Sequence, residues 1–503
     1  MKPILSRRDV VLSLIIGSIM CFFNFHLTVN PFTLYNGYDQ AIFEQMGLGM
    51  LQGRIPYVDL FDHKGFLLYI INAAGLWLSP GHLGIYLILS LALSLTFLCW
   101  LHISDYLVGP SLRYFPPLIS LMFACLCEGG NMTENWSLLP ISISILYLVR
   151  YVCRGQITSI LECFFIGVCL GVAGNLRLNN AVPILAVCLY MLIVLLYKKE
   201  FSRLVLSICS VVGGFLLISL ALVAFYVSLY GPGHIGDYLF GCLGFNLRYI
   251  DLYTHRPLWK AGGLFFPLSV MIVMMCFKRN YHNRLVWFTL MAFAMTLLTT
   301  GKAYFSHYFI LFAPLVCLGI SLSFGKVFYV KPRTWRLIGG GLLVLLICLS
   351  YIFRSNLYGV AEKFILRERA IAECSDKLNG LNEKQKKSIW NYNTEMAGAG
   401  VLQCAGLVQS NRIFLPFQAQ GQYGVKEIGE VSEVCPEVIL VDENTLWEEG
   451  MSVVALESRG TPSDLAFIKQ NYRILYRAQT EIQKKRICIY TRSDEKEYHI
   501  QNY

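Results

Sequence analysis

The chain has 503 residues, 55% of them apolar and only 15% charged, against roughly 25% charged in a typical soluble domain. The deficit runs through the first 355 residues, which excludes a large soluble core and predicts a polytopic membrane protein. The net charge of +10 is not a nucleic-acid signature, because the bases fall in small clusters between apolar segments, as topology signals do. No nucleic-acid partner is expected.

The N-terminal stretch Met1–Asp9 is basic and precedes an apolar run of about 20 residues, long enough to span a bilayer. No small-x-small cleavage site follows, so the run is expected to stay as a first span rather than leave as a signal peptide. Apolar segments predict spans near 10–30, 82–104, 113–127, 137–152, 159–175, 181–197, 204–230, 258–277, 284–300, 304–324 and 335–355. The total is about eleven, each helical because lipid offers the backbone no polar partner.

One set of connections carries sixteen bases, among them Arg7, Arg8, Arg150, Lys198, Lys199 and Arg333; the alternate set carries eight. The positive-inside rule places the richer set, and with it the N-terminus, in the cytoplasm. Loop 31–81, the turns 128–136 and 176–180, loop 231–257 and turn 301–303 are then exterior, and an odd number of spans puts the tail outside as well.

The first exterior loop is the densest in chemistry. Residues 35–69 carry Asp39, Glu44, Asp59, Asp62, His63 and Lys64 between two apolar segments. The spacing of Ile42, Met46 and Met50 predicts an amphipathic helix over Asp39–Gln52 lying in the membrane interface and stopped by Gly53. A second helix is predicted from near Asp62 through FLLYIINAAGLWL to Ser79. Asp39 suits a helix cap, and equally a carboxylate that deprotonates an acceptor hydroxyl or holds a cation. Asp62 has the same capping alternative. Lys64 would fall in the first helical turn, where a cation opposes the helix dipole. An anion held jointly with the helix N–H groups explains it there, and so does snorkelling to headgroups.

The next exterior turn, CEGGNMTENW, brings Glu128 and Glu134, the latter also placed to cap the following span. Asn131-Met132-Thr133 is formally a glycosylation sequon. Arg177 in GNLRLNN runs against the positive-inside trend and calls for a carboxylate or phosphate partner. Loop 231–257 is rich in Tyr and Phe, which reads as an interfacial aromatic belt, or as rings that stack on a sugar face or cover a bound lipid. TTGKAYFSHYF adds Lys302, Tyr304 and His307, with His307 either structural or a functional polar group at the membrane edge.

From about residue 356 the composition changes. A charged helical run is followed by SIWNY, RIFLPF, EVILVDE, YRILYR and RICIYT, five short β-type segments separated by helix-compatible stretches. That alternation predicts a small α/β domain over 356–503 following a membrane domain over 1–355. It contains no glycine-rich nucleotide loop, so no nucleotide cofactor is expected. Of the seventeen cysteines, Cys374, Cys404, Cys435 and Cys488 lie in this tail, where export would allow one or two disulfides.

The run YDQAIFEQMGLGMLQGRIPYVDLFDHKGFLLY resembles the first exterior loop of bacterial GT-C glycosyltransferases, membrane enzymes similar to family 39 protein mannosyltransferases and to the aminoarabinose transferase acting on lipid A. TENW, LRLNN and GKAYFSHYF extend the resemblance over about residues 1–325. It implies a GT-C-like fold, exterior-face chemistry and a polyprenyl-phosphate sugar as donor. Asp39 matches the loop acid that activates the acceptor or holds a metal, Glu134 the acid of the second exterior loop, and Lys64 the base that contacts donor phosphate. Arg177, Tyr304 and His307 match more loosely, and Asp62, His63 and Lys302 complete the candidate set. Two departures stand out: Phe66 replaces a proline, and Asp39 is followed by Gln40 rather than by a second acid. The second weakens a protein acceptor.

The expected function is therefore inverting transfer of a hexosyl or pentosyl unit from a polyprenyl-phosphate carrier to a glycan, lipid or protein acceptor outside the inner membrane. Asp39 and Glu134 would serve the acceptor, Lys64 and Arg177 the departing phosphate, with a divalent cation at Asp39 left open. A flippase or transporter for lipid-linked saccharides is the alternative from another class, and a glycan ligase or polymerase a third. A flippase would carry its charges near the bilayer midplane, whereas these lie at one surface.

Overall fold

A computed structural model describes residues 6–24, 34, 39–108, 112–127, 129–154, 159–249, 283–299, 306–324, 357–415, 418, 425–427, 429–443, 462–482 and 485–493. Nine helices follow one another in the first half: α1 (Arg7–Asn24), α2 (Asp39–Leu51), α3 (Phe66–Leu78), α4 (Leu83–Leu107), α5 (Phe115–Leu126), α6 (Thr133–Arg154), α7 (Ile160–Leu176), α8 (Val182–Tyr197) and α9 (Phe201–Tyr230). The short α10 (Ile235–Leu239) and α11 (Phe245–Tyr249) flank a π-helical turn, Phe240–Gly244. Then come α12 (Asn283–Thr299), a 3-10 turn at Ser306–Phe312 and α13 (Ala313–Phe324).

Among the described residues, five helical stretches are long and apolar enough to cross a bilayer: Leu83–Leu107, Thr133–Cys153, Leu178–Tyr197, Phe201–Tyr230 and His307–Phe324. Shorter apolar helices accompany them at Phe66–Leu78, Phe115–Cys125, Ile160–Leu176 and Arg284–Leu298. The spans predicted near 258–277 and 335–355 lie outside the described residues. The helices pack closely where glycine removes a side chain. A Cβ on Gly167 would lie 2.1 Å from the Val211 carbonyl oxygen, and one on Gly214 2.2 Å from that of Phe164, so α7 and α9 meet backbone to backbone.

The first loop departs from expectation in two ways. Helix α2 begins at Asp39 as predicted, but it is not an interfacial helix with one wet face. Gln40, Ala41, Ile42, Phe43, Glu44 and Gln45 in succession are buried. Neighbours cover α2 on opposite sides: α3, and the tail, to which the Gln45 and Gln52 amides donate at the Leu407 and Gly406 carbonyls, 2.9 and 3.0 Å away. Periodicity could not reveal this, because the second cover comes from more than 350 residues away. Helix α3 starts at Phe66, with Gly65 as its N-cap. Asp62, His63 and Lys64 therefore precede the helix, and neither the Asp62 cap nor a first-turn Lys64 is present.

The tail carries α14 (Leu357–Asn379), β1 (Ile389–Tyr392), α15 (Glu395–Cys404), β2 (Val438–Asp442), α16 (Pro462–Asn471), β3 (Tyr472–Arg477) and β4 (Ile487–Arg492). The sheet order is β1-β2-β4-β3, with β1 parallel to β2 and the other pairs antiparallel. The period of two sends Ile389, Val438, Leu440, Ile487 and Ile489 into the large core, and Trp390, Ile439, Val441, Cys488 and Tyr490 into a second one. Four of the five predicted strands are present. The described residues of RIFLPF, 412–415, form no strand; Ile413 instead makes an isolated parallel bridge with Phe61 of the first loop. Cys374, Cys404, Cys435 and Cys488 are free thiols, so the anticipated disulfides do not form.

Candidate active site

Helix α3 begins, α6 begins and α7 ends in one place, and there the charged residues of three connections meet. Gly65 makes this possible. Its N–H donates to the Leu176 carbonyl at 3.1 Å, and a Cβ on it would sit 1.8 Å from the Asn175 carbonyl oxygen. The DHKG loop is thus pressed against the end of α7, one residue from Arg177.

Asp62, His63 and Lys64 are buried together, at 1%, 2% and 6% exposure. Lys64 Nζ stands 3.6 Å from Asp62 Oδ1 and 3.4 Å from His63 Nε2, while His63 Nδ1 faces Asp62 Oδ1 at 3.3 Å. The Tyr69 hydroxyl donates to Asp62 Oδ2 at 3.1 Å and accepts from the Lys64 N–H at the same distance. Burial acts to raise the Asp62 carboxyl, but the Lys64 ammonium and the His63 contacts overcome it and hold the group well below the usual carboxylate range. Burial, and then the Lys64 charge, push His63 down to about 4. The imidazole is neutral at ordinary pH, with Nδ1 facing Asp62 and Nε2 facing the ammonium. Lys64 also lies 5.3 Å from the centre of the Phe43 ring on α2.

Glu134, in the first turn of α6, is 1% exposed and pairs with Arg177, the C-cap of α7, at 3.0 Å. The Arg177 guanidinium also donates to the Tyr308 hydroxyl at 2.6 Å and lies 4.5 Å from the centre of that ring. Thr133 Oγ1 donates to the other Glu134 oxygen at 2.9 Å. The partner that Arg177 called for is therefore a carboxylate. Removing one member strands a buried charge, which costs about 3–5 kcal/mol. Arg177→Met is expected to destabilise the protein by that order, and the double variant with Glu134→Gln to recover part of the loss. Thermal unfolding of the purified protein measures both.

His307 is half-buried and lies within electrostatic reach of Glu134, Asp39, Arg177 and Lys64. The four groups whose charges act on it are spread along the sequence from residue 39 to 177. Asp39 itself is half-buried at the start of α2. Lys302, Tyr304 and Glu128 lie outside the described residues. Among the described residues, no group of three or more His, Cys, Asp or Glu side chains converges in a way that would hold a metal ion.

Several residues take roles at the site that the sequence did not assign to them. Asn131 is fully buried: its N–H donates to Gln40 at 2.9 Å, its amide to Asn72 at 2.6 Å, and it accepts from Trp136 at 3.0 Å. The formal sequon is thereby sealed, and its asparagine instead ties α2, α3 and α6 together beneath the acids. In the described part of loop 231–257 two of the aromatic rings turn inward, and residues 250–257 lie outside the described residues. Tyr238 and Phe245 are buried against Tyr57, Phe66 and His63, and Asn246 donates to the His63 carbonyl at 2.7 Å. Tyr57 takes a left-handed backbone, φ 70°, and its hydroxyl donates to the Lys64 carbonyl at 2.9 Å. Tyr308 had a nearby signal, standing beside His307 in FSHYF.

No protein-family model matches the chain, and no curated protein matches it. Among solved structures, ArnT from Cupriavidus metallidurans in the apo state aligns with a TM-score of 0.60 at 12% identity, covering 96% of this chain and 97% of that one. ArnT bound to undecaprenyl phosphate aligns over the same shares at 12% identity with a TM-score of 0.56. The chain has a GT-C fold. That agrees with the resemblance of the first loop, and the alignment reaches well beyond residue 325, through the tail. With its apolar helices, a GT-C fold makes this a multi-pass membrane protein. The acids and bases above lie at helix ends of the GT-C fold rather than along its spans.

Proposed function

We propose that the protein is a glycosyltransferase that moves a hexosyl or pentosyl unit from a polyprenyl-phosphate carrier to an acceptor on the exterior face of the inner membrane, with inversion. The observation that carries this reading is the meeting of two acids, Asp39 and Glu134, with Lys64, Arg177 and His307 at one end of the helices. A fold shared with a protein captured bound to undecaprenyl phosphate supports the donor class.

In this reaction the acceptor oxygen or nitrogen forms a bond to the anomeric carbon as the bond from that carbon to the phosphate oxygen breaks. Asp39 takes the acceptor proton, and Glu134, held by Arg177 and Thr133, orients the acceptor. The leaving group is the polyprenyl phosphate, whose developing charge is met by Lys64 and by the Arg177 guanidinium. Lys64 suits this role because Asp62 and neutral His63 hold it in place before the donor arrives. Preorganised charge in a buried site needs no reorganisation during reaction. A divalent cation at Asp39 would add a further positive charge, and no step above depends on one. The membrane domain of 1–355 would supply the site, with the unit of 356–503 exterior and the N-terminus cytoplasmic. A glycan or lipid acceptor is favoured over a protein, because Gln40 stands where a second acid would be.

The test is transfer by the purified full-length protein from a radiolabelled polyprenyl-phosphate sugar to envelope glycans and lipids. Product formation with release of polyprenyl phosphate is expected. Movement of lipid-linked saccharide across liposomes, without donor cleavage, would instead make the protein a flippase.

A further inference from the structure

Among the described residues, the C-terminal unit reaches the site loop through residues 409–413. Four polar side chains brace that segment. Glu427 accepts from the N–H groups of Arg412 and Ile413 at 2.7 and 3.1 Å. Buried Gln409 donates to the carbonyls of Asn411 and Ile413, both at 3.1 Å. Buried Asn411 donates to the Ile413 carbonyl at 2.9 Å and accepts from the Asn391 N–H at 2.9 Å, and the Asn391 amide bonds Gln409 at 3.0 Å. A short loop held by this many buried bonds is a rigid support.

The support ends on the first loop. The Phe61 N–H donates to the Arg412 carbonyl at 2.8 Å, and Ile413 bridges Phe61. The Arg412 guanidinium donates to the Tyr57 carbonyl at 2.6 Å, lies 5.8 Å from the centre of the Phe61 ring and stands 3.8 Å from Asp237 on α10. Tyr57 is the residue with the left-handed backbone, and its hydroxyl bonds the Lys64 carbonyl. Phe61 immediately precedes Asp62.

We propose that Arg412 is a positioning residue for the Asp62–His63–Lys64 cluster, through which the C-terminal unit sets the geometry of the donor-phosphate site in the membrane unit. This rests on the transferase reading for its catalytic consequence. Arg412 touches both ends of the segment 57–61 and the α10 cover, so it fixes the loop from which Lys64 projects. The C-terminal unit is then part of the catalytic apparatus rather than an appended module.

The experiment compares full-length wild type with Arg412→Ala, Arg412→Lys and, as a control elsewhere on the tail, Lys384→Ala. Amide hydrogen exchange across residues 57–64 is measured together with kcat and donor KM. Arg412→Ala is expected to raise exchange in this segment and lower kcat about tenfold to a hundredfold, with donor KM changing by less than about threefold. Arg412→Lys, which keeps one donor for the Tyr57 carbonyl, should recover part of both effects, and Lys384→Ala neither. Unchanged exchange in Arg412→Ala, or kcat within about twofold of wild type, overturns the proposal. If wild type transfers no sugar, the transferase reading fails separately, and the exchange data with undecaprenyl phosphate binding still decide whether Arg412 sets the loop.

Discussion

Asp39→Asn is expected to lower sugar transfer about 10²–10⁴-fold, the usual worth of a positioned general base, while leaving the protein folded. The substitution is nearly isosteric and keeps an oxygen that can accept at the helix start. What it removes is the charge and the proton-accepting ability. Two effects compete for the explanation, and their sizes separate them. A carboxylate in the first turn of α2 stabilises that helix by about 0.3–1 kcal/mol, a small change in unfolding temperature. A lost base at the reacting atom would cost roughly 3–5 kcal/mol of transition-state stabilisation, with little change in the binding of undecaprenyl phosphate. Asp39 lies within electrostatic reach of His307, as do Glu134, Lys64 and Arg177. It is the half-buried acid of that group, whereas Glu134 is buried and paired with Arg177. Full turnover in Asp39→Asn would remove it as the base and move attention to Glu134.

Gly65→Ala is expected to be nearly as damaging, although it alters no charge. The new Cβ would lie 1.8 Å from the Asn175 carbonyl oxygen and 2.5 Å from its carbon. Both are backbone atoms at the end of α7 and cannot swing aside as a side chain would. The DHKG loop must therefore retreat by more than an ångström, carrying Lys64 away from Arg177. A displacement of that size costs about a hundredfold in rate, and the crowding about 1–3 kcal/mol in stability. Gly53 is the control. It has φ +81° with nothing within 4 Å of the missing Cβ, so Gly53→Asn, which tolerates that backbone, should fold and turn over normally. Wild-type turnover in Gly65→Ala would show that the approach to Asn175 does not set Lys64.

Much of this was legible in the chain itself. Apolar run length and backbone chemistry were enough to read a polytopic helical protein and the long apolar helices among the described residues, because a bilayer leaves few alternatives. Charge in short connections was enough to single out Asp39, Asp62, His63, Lys64, Glu134 and Arg177, because charge beside a membrane needs a reason. The four strands of the tail followed from β-type runs, and RIFLPF was misread because the same composition suits a segment that pairs with another loop. The burial of α2 was illegible for a related reason: its second cover, α15 and the residues just after it, follows some 350 residues later.

The sequence by itself determined that this is a membrane protein with charged groups gathered in a few short connections. It determined the resemblance of the first loop as well. Only the tertiary structure decided which charges meet. Arg177 faces Glu134 and Tyr308 where the end of α7 meets the start of α6 and the turn at Ser306–Phe312, and Gly65 lets the DHKG loop approach the same helix end. Lys64 is held by Asp62, His63 and Tyr69 in a loop that precedes the helix rather than in its first turn. Arg412, some 350 residues from the loop in sequence, supports it from the tail. The physical reason is the same throughout. Composition and period act locally and are readable along the chain, whereas ion pairs and close backbone contacts depend on which distant segments share a surface.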